Sequence, residues 1–271
     1  MPEANEAQRR RWNDEEWVAA WPKREALTDP ITPYLDAALA LQPGERVLDV
    51  GCGGGKPTIA AARAVGPAGN AIGADISKPL TELAARRAAE AHVNNVMFRV
   101  ADVQTEPIAE GPFDVVMSQF GVMFFDEAEK AFTNIRRHLA PGGRMAFACW
   151  QTFDRNPWNV ATALGGIIPP LPEPAPGKNA VGPFSLGDAD HTLGMLEAAG
   201  FANLRWVAHD LPTEVRLDAV VDDAWLRLSG VPAERMAEAM ALVNDYFAQF
   251  ETVPGHMKIP LAFQIFQATA R

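Results

Sequence analysis

An alternation of short apolar runs and amphipathic stretches most constrains the fold of this chain. Between residue 44 and about residue 149, each apolar run is followed by a turn and then by a stretch with helical character. This alternation is typical of a parallel sheet whose strands are joined by crossover helices. It predicts an α/β fold with strands at 46–50, 70–74, 96–100, 113–117 and 144–149, and with helices at 80–93 and 127–140.

A glycine-rich turn directly follows the first predicted strand, in the segment VLDVGCGGG at 47–55. Gly51, Gly53 and Gly55 allow a sharp turn and let a ligand approach bare backbone. A dinucleotide-binding fingerprint would place its third glycine at position 56, where this chain has Lys56. The spacing argues against NAD. A purely structural tight turn is the alternative to a ligand-binding loop.

Two acidic residues stand where the second and third predicted strands end. Asp75 can accept hydrogen bonds from both ribose hydroxyls of an adenosine, as acidic residues at this strand end do. Asp102 can accept from an adenine amino group, with Val103 beside the ring. Asp75 supports a nucleoside ligand without choosing which one, and for Asp102 a solvated loop aspartate is the alternative.

The segment FDVVMSQFGVMFF at 113–125 runs from the fourth predicted strand into a loop. Ser118, Gln119 and Phe120 should therefore lie at the carboxyl edge of the sheet, where open α/β sheets bind ligands. In order and spacing, VLDVGCGGG, GADIS, ADVQTEPI, FDVVMSQFGVMFF and LAPGGRMAF resemble the successive motifs of class I S-adenosylmethionine-dependent methyltransferases. The likeness is greatest to the ubiquinone and menaquinone biosynthesis type and related small-molecule enzymes, and covers residues 44–150 well.

This resemblance implies a Rossmann-like, seven-stranded, mostly parallel sheet with helices on both faces, and S-adenosyl-L-methionine as cofactor. The glycine loop would hold the methionine portion, the acidic end of the second strand the ribose, and the loop after the third strand the adenine. Ser118 would lie near the methionine end. The cofactor-binding residues implied in this way are Asp49, Gly51, Cys52, Gly53, Gly55, Asp75, Ile76, Asp102, Val103, Ser118 and Gln119.

Outside the cofactor-binding core at 44–152, residues 1–43 are predicted to form an N-terminal helical arm. Its aromatic residues either cover the cofactor cleft or pack on the edge of the domain; they are Trp12, Trp17, Trp21 and Tyr34. Residues 153–271 should supply a proline-rich lid loop, lid helices and two last strands that complete the sheet. The aromatic residues expected to roof the cleft are Trp150, Phe153, Trp158, Phe184, Trp225, Phe247 and Phe250.

Charge and composition restrict the partners of the chain. A net charge of -10 over 271 residues disfavours nucleic acid, and the acids around Arg9, Arg10 and Arg11 indicate a solvated helix face. No window approaches the ~20 apolar residues of a membrane span. Cys52 and Cys149 support neither a disulfide framework nor a metal site. We therefore predict a cytoplasmic protein without a metal, and nothing in the sequence excludes a homodimer.

Methyl transfer from a sulfonium is an in-line displacement, for which the protein chiefly aligns the reactants. A general base is needed only for a weakly acidic acceptor. His191 and His256 are the catalytic candidates because either could face the cleft, whereas His92 and His138 stand at helix ends, where imidazole is ordinarily structural. The expected acceptor is a small, largely apolar molecule that receives the methyl group on O, C or N.

Two alternatives belong to other classes of protein. The first is a non-catalytic, cofactor-binding module of the same fold. The second is an NAD(P)-dependent oxidoreductase, which Lys56 and the lack of an obvious Tyr-x-x-x-Lys pair disfavour.

Overall fold

The computed structural model describes residues 5–161, 163–168 and 181–271, which are organised around one mixed sheet. Its strands are β1 (Arg46–Val50), β2 (Asn70–Asp75), β3 (Val96–Val100), β4 (Phe113–Gln119), β5 (Leu139–Trp150), β6 (Phe201–Arg216), β7 (Glu251–Val253) and β8 (His256–Ala270). The α-helices are α1 (Glu6–Trp12), α2 (Glu15–Ala19), α3 (Trp21–Glu25), α4 (Thr32–Leu39), α5 (Lys56–Val65), α6 (Lys78–Glu90), α7 (Ala128–His138), α8 (Ala189–Ala198), α9 (Leu217–Val220), α10 (Asp223–Leu228) and α11 (Met236–Ala248). The predicted proline-rich lid loop passes through residues 169–180, which lie outside the described residues.

The strand order of the sheet is β3-β2-β1-β4-β5-β8-β6, and the short β7 also pairs with β8. Neighbouring strands from β3 to β5 run parallel, whereas β8 is antiparallel to both β5 and β6. Val47, Leu48 and Asp49 are all buried although successive side chains of a strand point to opposite faces, so both faces of β1 are covered. The predicted α/β fold is confirmed, with β7 as an addition.

β5, β6 and β8 extend well beyond the segments that predicted them, whereas β2 and β4 are longer than predicted by only one and two residues. β5 begins at Leu139 instead of residue 144, because Leu139 pairs with Phe113 as soon as α7 ends at His138. β6 and β8 pair from Phe201 opposite Ala270 to Arg216 opposite His256. Pairing with a neighbour extends both strands beyond the apolar segments by which they were recognised.

A stack of phenylalanines joins the parallel and antiparallel parts of the sheet. The ring of Phe147 on β5 lies 5.1 Å from the ring of Phe266 on β8 and 5.5 Å from that of Phe132 on α7. All three side chains are fully buried. Their contact fixes β8 on the parallel strands, so the C-terminal half packs on the core through this stack.

The N-terminal arm uses its aromatic residues in two different ways. The ring of Trp12 lies 5.4 Å from that of Trp17 and 6.5 Å from that of Trp21, both edge-on, and all three line a cavity at the sheet edge. Tyr34 instead packs on Phe263, with 5.2 Å between ring centroids. The structure therefore realises both alternatives for the arm. The three tryptophans cover the cleft, and Tyr34 packs on the edge of the domain.

Ion pairs hold the arm against the helices that follow β6. Lys23 Nζ lies 2.9 Å from Asp218 on α9, and Arg227 on α10 lies 3.0 Å from Asp14. A third pair joins Arg24 to Asp222, the N-cap of α10. None of the helices in the described ranges is long and apolar enough to cross a membrane.

Candidate active site

One cavity of about 660 Å³ lies where the carboxyl ends of β1, β2 and β4 face the N-terminal arm. Its volume is within the range of about 300–1,000 Å³ that small-molecule sites occupy. The predicted cofactor residues that line it are Asp49, Gly51, Cys52, Asp75, Ile76, Asp102, Val103 and Gln119. Residues far apart in the sequence thus surround one space.

The turn after β1 requires glycine at its first position. Gly51 has a φ of 72°, and a Cβ there would lie 2.6 Å from Gly121 Cα. Any side chain at Gly51 would therefore displace the neighbouring loop. Gly55, by contrast, does not line the cavity, and a Cβ on it would meet Ala84 and Phe98. The predicted contact of Gly55 with the cofactor is therefore not supported. Glycine is needed at this position because a side chain would collide with Ala84 on α6 and Phe98 on β3.

The arm covers part of the glycine loop. The indole of Trp21 lies against the backbone of Gly53 and Gly54, where a Cβ on Gly54 would be 2.6 Å from Trp21 Nε1. Gly53 does not line the cavity, whereas Gly54 does. At Gly53 the backbone predicted to receive a ligand is thus approached by a side chain of the protein itself, and the cofactor contact of Gly53 stays a prediction.

Two buried carboxylates face the cavity from β1 and β2. Asp75 is 9% exposed and accepts 2.8 Å hydrogen bonds from the backbone N–H groups of Gly53 and Ser77. One oxygen of Asp49 accepts from the Thr58 hydroxyl at 2.6 Å, while the other, Oδ1, is buried with no partner among the described residues. Burial, together with the charge of Asp75, raises the pKa of Asp49 to about 7.

Asp102 is bound by an amide of the arm. Its two oxygens each lie 2.9 Å from Asn5 Nδ2, and Asn5 Oδ1 accepts from the Asp126 N–H at 3.1 Å. Asp102 is only 3% exposed, which excludes the alternative of a solvated loop aspartate. A carboxamide NH₂ is the same type of donor as the adenine amino group. The contact of Asn5 with Asp102 was not predicted from the sequence. Asn5 is recognisable in the sequence only as a residue that precedes a helix.

Ser118 and Gln119 hold the loop after β4 in different ways. The Ser118 hydroxyl donates to Val50 O at 2.7 Å and accepts from the Gly121 N–H at 3.1 Å. Ser118 does not line the cavity, and both of its hydrogen bonds hold the loop, so its cofactor contact stays a prediction. Gln119 does line the cavity, and its side-chain oxygen accepts from the Thr32 hydroxyl at 3.0 Å.

Neither catalytic candidate among the histidines reaches the cavity. His191 is exposed in the first turn of α8, and His256 is exposed at the start of β8. At 3.3 Å per residue, His256 lies roughly 20 Å along β8 from Phe263, the partner of Trp150 at the end of β5. The length of β8 therefore removes it from the sheet edge. His138 is structural as predicted, since its Nε2 accepts from Ile108 N–H at 2.7 Å.

Aromatic side chains form the apolar wall of the cavity. Trp150, Trp158 and Trp225 line it as predicted. Phe184 stands behind Trp158 with 5.4 Å between ring centroids, and Phe247 belongs to the core under α11. The remaining predicted roof residues, Phe153 and Phe250, do not line the cavity either.

One face of α1 supplies polar groups that the sequence did not predict. Asn5, Gln8, Arg11 and Trp12 recur at helical spacing and all line the cavity, whereas Arg10 is exposed. The interpretation of the arginine triplet as a wholly solvated face is therefore wrong for Arg11. The acidic residues around the triplet indicated a solvated helix, and they gave no sign that one side of α1 packs on the core.

An open α/β sheet whose glycine turn and acidic strand ends share one cavity is characteristic of nucleoside-cofactor enzymes. A family model described as a methyltransferase domain matches residues 47–143. The aklanonic acid methyltransferase DauC of Streptomyces sp. (strain C5) is 33% identical over 60% of this chain and 77% of its own. The chain therefore belongs to the class I S-adenosylmethionine-dependent methyltransferases.

Two further comparisons extend over most of the chain. The nocamycin O-methyltransferase of Saccharothrix syringae is 28% identical over 86% of this chain and 89% of its own length. The YcgJ protein of Bacillus subtilis superposes with a TM-score of 0.60 at 20% identity, covering 89% of this chain and 97% of that protein. At that identity, the structural likeness concerns the fold alone. The protein is an enzyme that uses S-adenosyl-L-methionine, so the oxidoreductase and the non-catalytic module are set aside.

Proposed function

We propose that this enzyme transfers the methyl group of S-adenosylmethionine to O, C or N of a small molecule with a largely apolar body. The observation that carries the proposal is the single cavity in which Asp49, Asp75 and Asp102 meet the wall formed by Trp150, Trp158 and Trp225. The names of the nocamycin and aklanonic acid relatives also support a small-molecule acceptor. A concave cavity of this volume under an arm favours such an acceptor over a macromolecule.

The buried polar atoms of this cavity fit the cofactor. Asp49 Oδ1 is a buried acceptor that an ammonium group would satisfy, Asp75 keeps lone pairs for ribose hydroxyls, and Asp102 can accept from an adenine amino group. The cofactor, when bound, supplies a methyl group on a positively charged sulfur. We assign Gly51, Cys52, Ile76, Val103 and Gln119 as the neighbouring contacts.

The residues of this chain contribute mainly alignment and the exclusion of water. The carboxylates would orient the cofactor from below, while Trp21 and the aromatic wall exclude solvent from the reacting atoms. Alignment of this kind supplies up to roughly 7–11 kcal/mol of a barrier. Since no histidine is among the described residues that line the cavity, His191 and His256 are not retained as catalytic residues.

Cofactor affinity should depend on pH through Asp49. The raised pKa of about 7 means that Asp49 in the free protein is protonated below that pH and cannot pair with an ammonium group. We expect the affinity for S-adenosylhomocysteine, measured by calorimetry, to fall by up to about tenfold per pH unit below pH 7. Methylthioadenosine has no ammonium group and is the control. Equal pH dependence for both ligands, or its persistence in Asp49→Asn, would show that Asp49 does not bind the ammonium.

A methyl-transfer assay with labelled cofactor tests the acceptor class. We expect turnover with small phenols, quinone precursors or polycyclic acceptors, and none with RNA or protein. Turnover only with RNA or protein would refute the proposal.

A cytoplasmic location and a homodimer also stay predictions. Cell fractionation measures the location, and light scattering measures the oligomeric state. The two buried, free cysteines support the cytoplasmic location.

A further inference from the structure

Two arginines of the arm face the cavity around one tryptophan. The guanidinium carbon of Arg24 lies 4.0 Å from the ring centroid of Trp17, and that of Arg11 lies 5.3 Å from the same centroid. Both arginines line the cavity. Their shared aromatic neighbour therefore brings two positive charges together at one place in the cavity wall.

The charge of Arg11 is not balanced by any described acid. Of the other cations that line the cavity, Arg24 pairs with Asp222, and Lys56 pairs with Asp29 at 2.9 Å. Arg11 has neither an ion pair nor a side-chain hydrogen bond within the described ranges, and its Nε is buried without a partner. Arg24 Nε is also buried and has no hydrogen-bond partner among the described residues. Burial and the charge of Arg24 both lower the pKa of Arg11.

An unpaired cation in a desolvated wall is unfavourable until an anion satisfies it. We propose that Arg11 and Arg24 form a subsite for a carboxylate of the methyl acceptor, which is thus an apolar or aromatic acid. Planar guanidinium groups match the geometry of a carboxylate and bind it with charge-assisted hydrogen bonds. This inference rests on the proposed function, because it adds a charged group to the apolar body proposed for the acceptor.

The position of the subsite favours the acceptor over the cofactor as the source of the carboxylate. Arg11 belongs to α1, and Arg24 is tied to Asp222 at the start of α10. Both elements lie outside the segment 47–143 that matches the methyltransferase domain. The cofactor has its proposed polar partners within that segment, whereas the subsite is built by elements that surround it.

Calorimetry with paired ligands tests the subsite. With S-adenosylhomocysteine at saturation, the enzyme is titrated with naphthoate and anthracene carboxylate, and with the primary amides of the same ring systems. We expect each acid to bind at least about tenfold more tightly than its amide, as a charge-assisted contact implies. Arg11→Met should abolish this preference, and Arg11→Lys should retain part of it. Arg10→Met, which removes an exposed arginine from the same helix, should leave it unchanged.

Two results would overturn the inference. One is equal affinity of the wild-type enzyme for acids and amides. The other is an Arg11→Met variant that binds S-adenosylhomocysteine about tenfold more weakly but methylthioadenosine equally well, which would assign Arg11 to the carboxylate of the cofactor. Thermal unfolding of each variant excludes misfolding as the cause. If the wild-type enzyme failed to bind S-adenosylhomocysteine at all, the proposed function itself would fail, so the two failures are distinct.

Discussion

Replacing Asp75 by alanine should weaken the binding of S-adenosylhomocysteine by about 10- to 150-fold. The expected loss corresponds to about 1.5–3 kcal/mol, the usual contribution of hydrogen bonds to a charged group. In this protein the Asp75 carboxylate also accepts 2.8 Å hydrogen bonds from the backbone N–H groups of Gly53 and Ser77, and the substitution removes both bonds. The glycine loop and the start of α6 would lose their common anchor, so the upper part of the range is expected. Calorimetric titration measures the effect.

Two further variants separate the parts of this effect. Asp75→Asn keeps the shape, but its amide can accept from only one of the two N–H groups and meets the other with a donor. We expect an intermediate loss of affinity. Asp190→Ala removes an exposed carboxylate from the first turn of α8 and should leave affinity unchanged. An Asp75→Ala variant that is folded and binds with wild-type affinity would show that the ribose lies elsewhere.

Replacing Phe147 by alanine should lower the free energy of unfolding by about 3–5 kcal/mol, the usual cost of removing a buried phenylalanine. Phe147 is fully buried between Phe132 and Phe266, so the substitution opens a cavity where β8 joins the parallel strands. Urea denaturation followed by circular dichroism should show a midpoint lower by about 1–2 M with an unchanged slope. The loss should also make the C-terminal half easier to detach from the core.

Phe153→Ala provides a matched control for that measurement. Phe153 is 39% exposed and meets Phe184 edge-on at 5.6 Å, so its truncation should cost less than about 1 kcal/mol. Equal losses in the two variants would mean that the phenylalanine stack does not hold the sheet together. A lower slope for Phe147→Ala would instead indicate that the two parts unfold separately.

The parts of the site that could be predicted are those encoded within a few residues. Gly51 was predictable because a chain that turns sharply after a buried strand needs a left-handed residue there, and Asp75 because it ends the next strand. Gly55 stands in the same motif as Gly51 but makes room for helix packing, and Ser118 stands in the motif after β4 but hydrogen-bonds to the loop backbone. Position in a motif predicts which loop a residue belongs to, and does not predict which way its side chain points.

By itself the sequence determined the α/β fold through local periodicity, the family through the resemblance of its motifs, and the glycine loop at the cavity through residue types at fixed spacing. Only the tertiary structure decided that Asn5 reaches Asp102, that Trp21 covers Gly54 and that Arg11 enters the cavity. Helical spacing indicates which residues of α1 share a face. In a helix as polar as this one it does not indicate which face is buried, because docking on the core makes that choice.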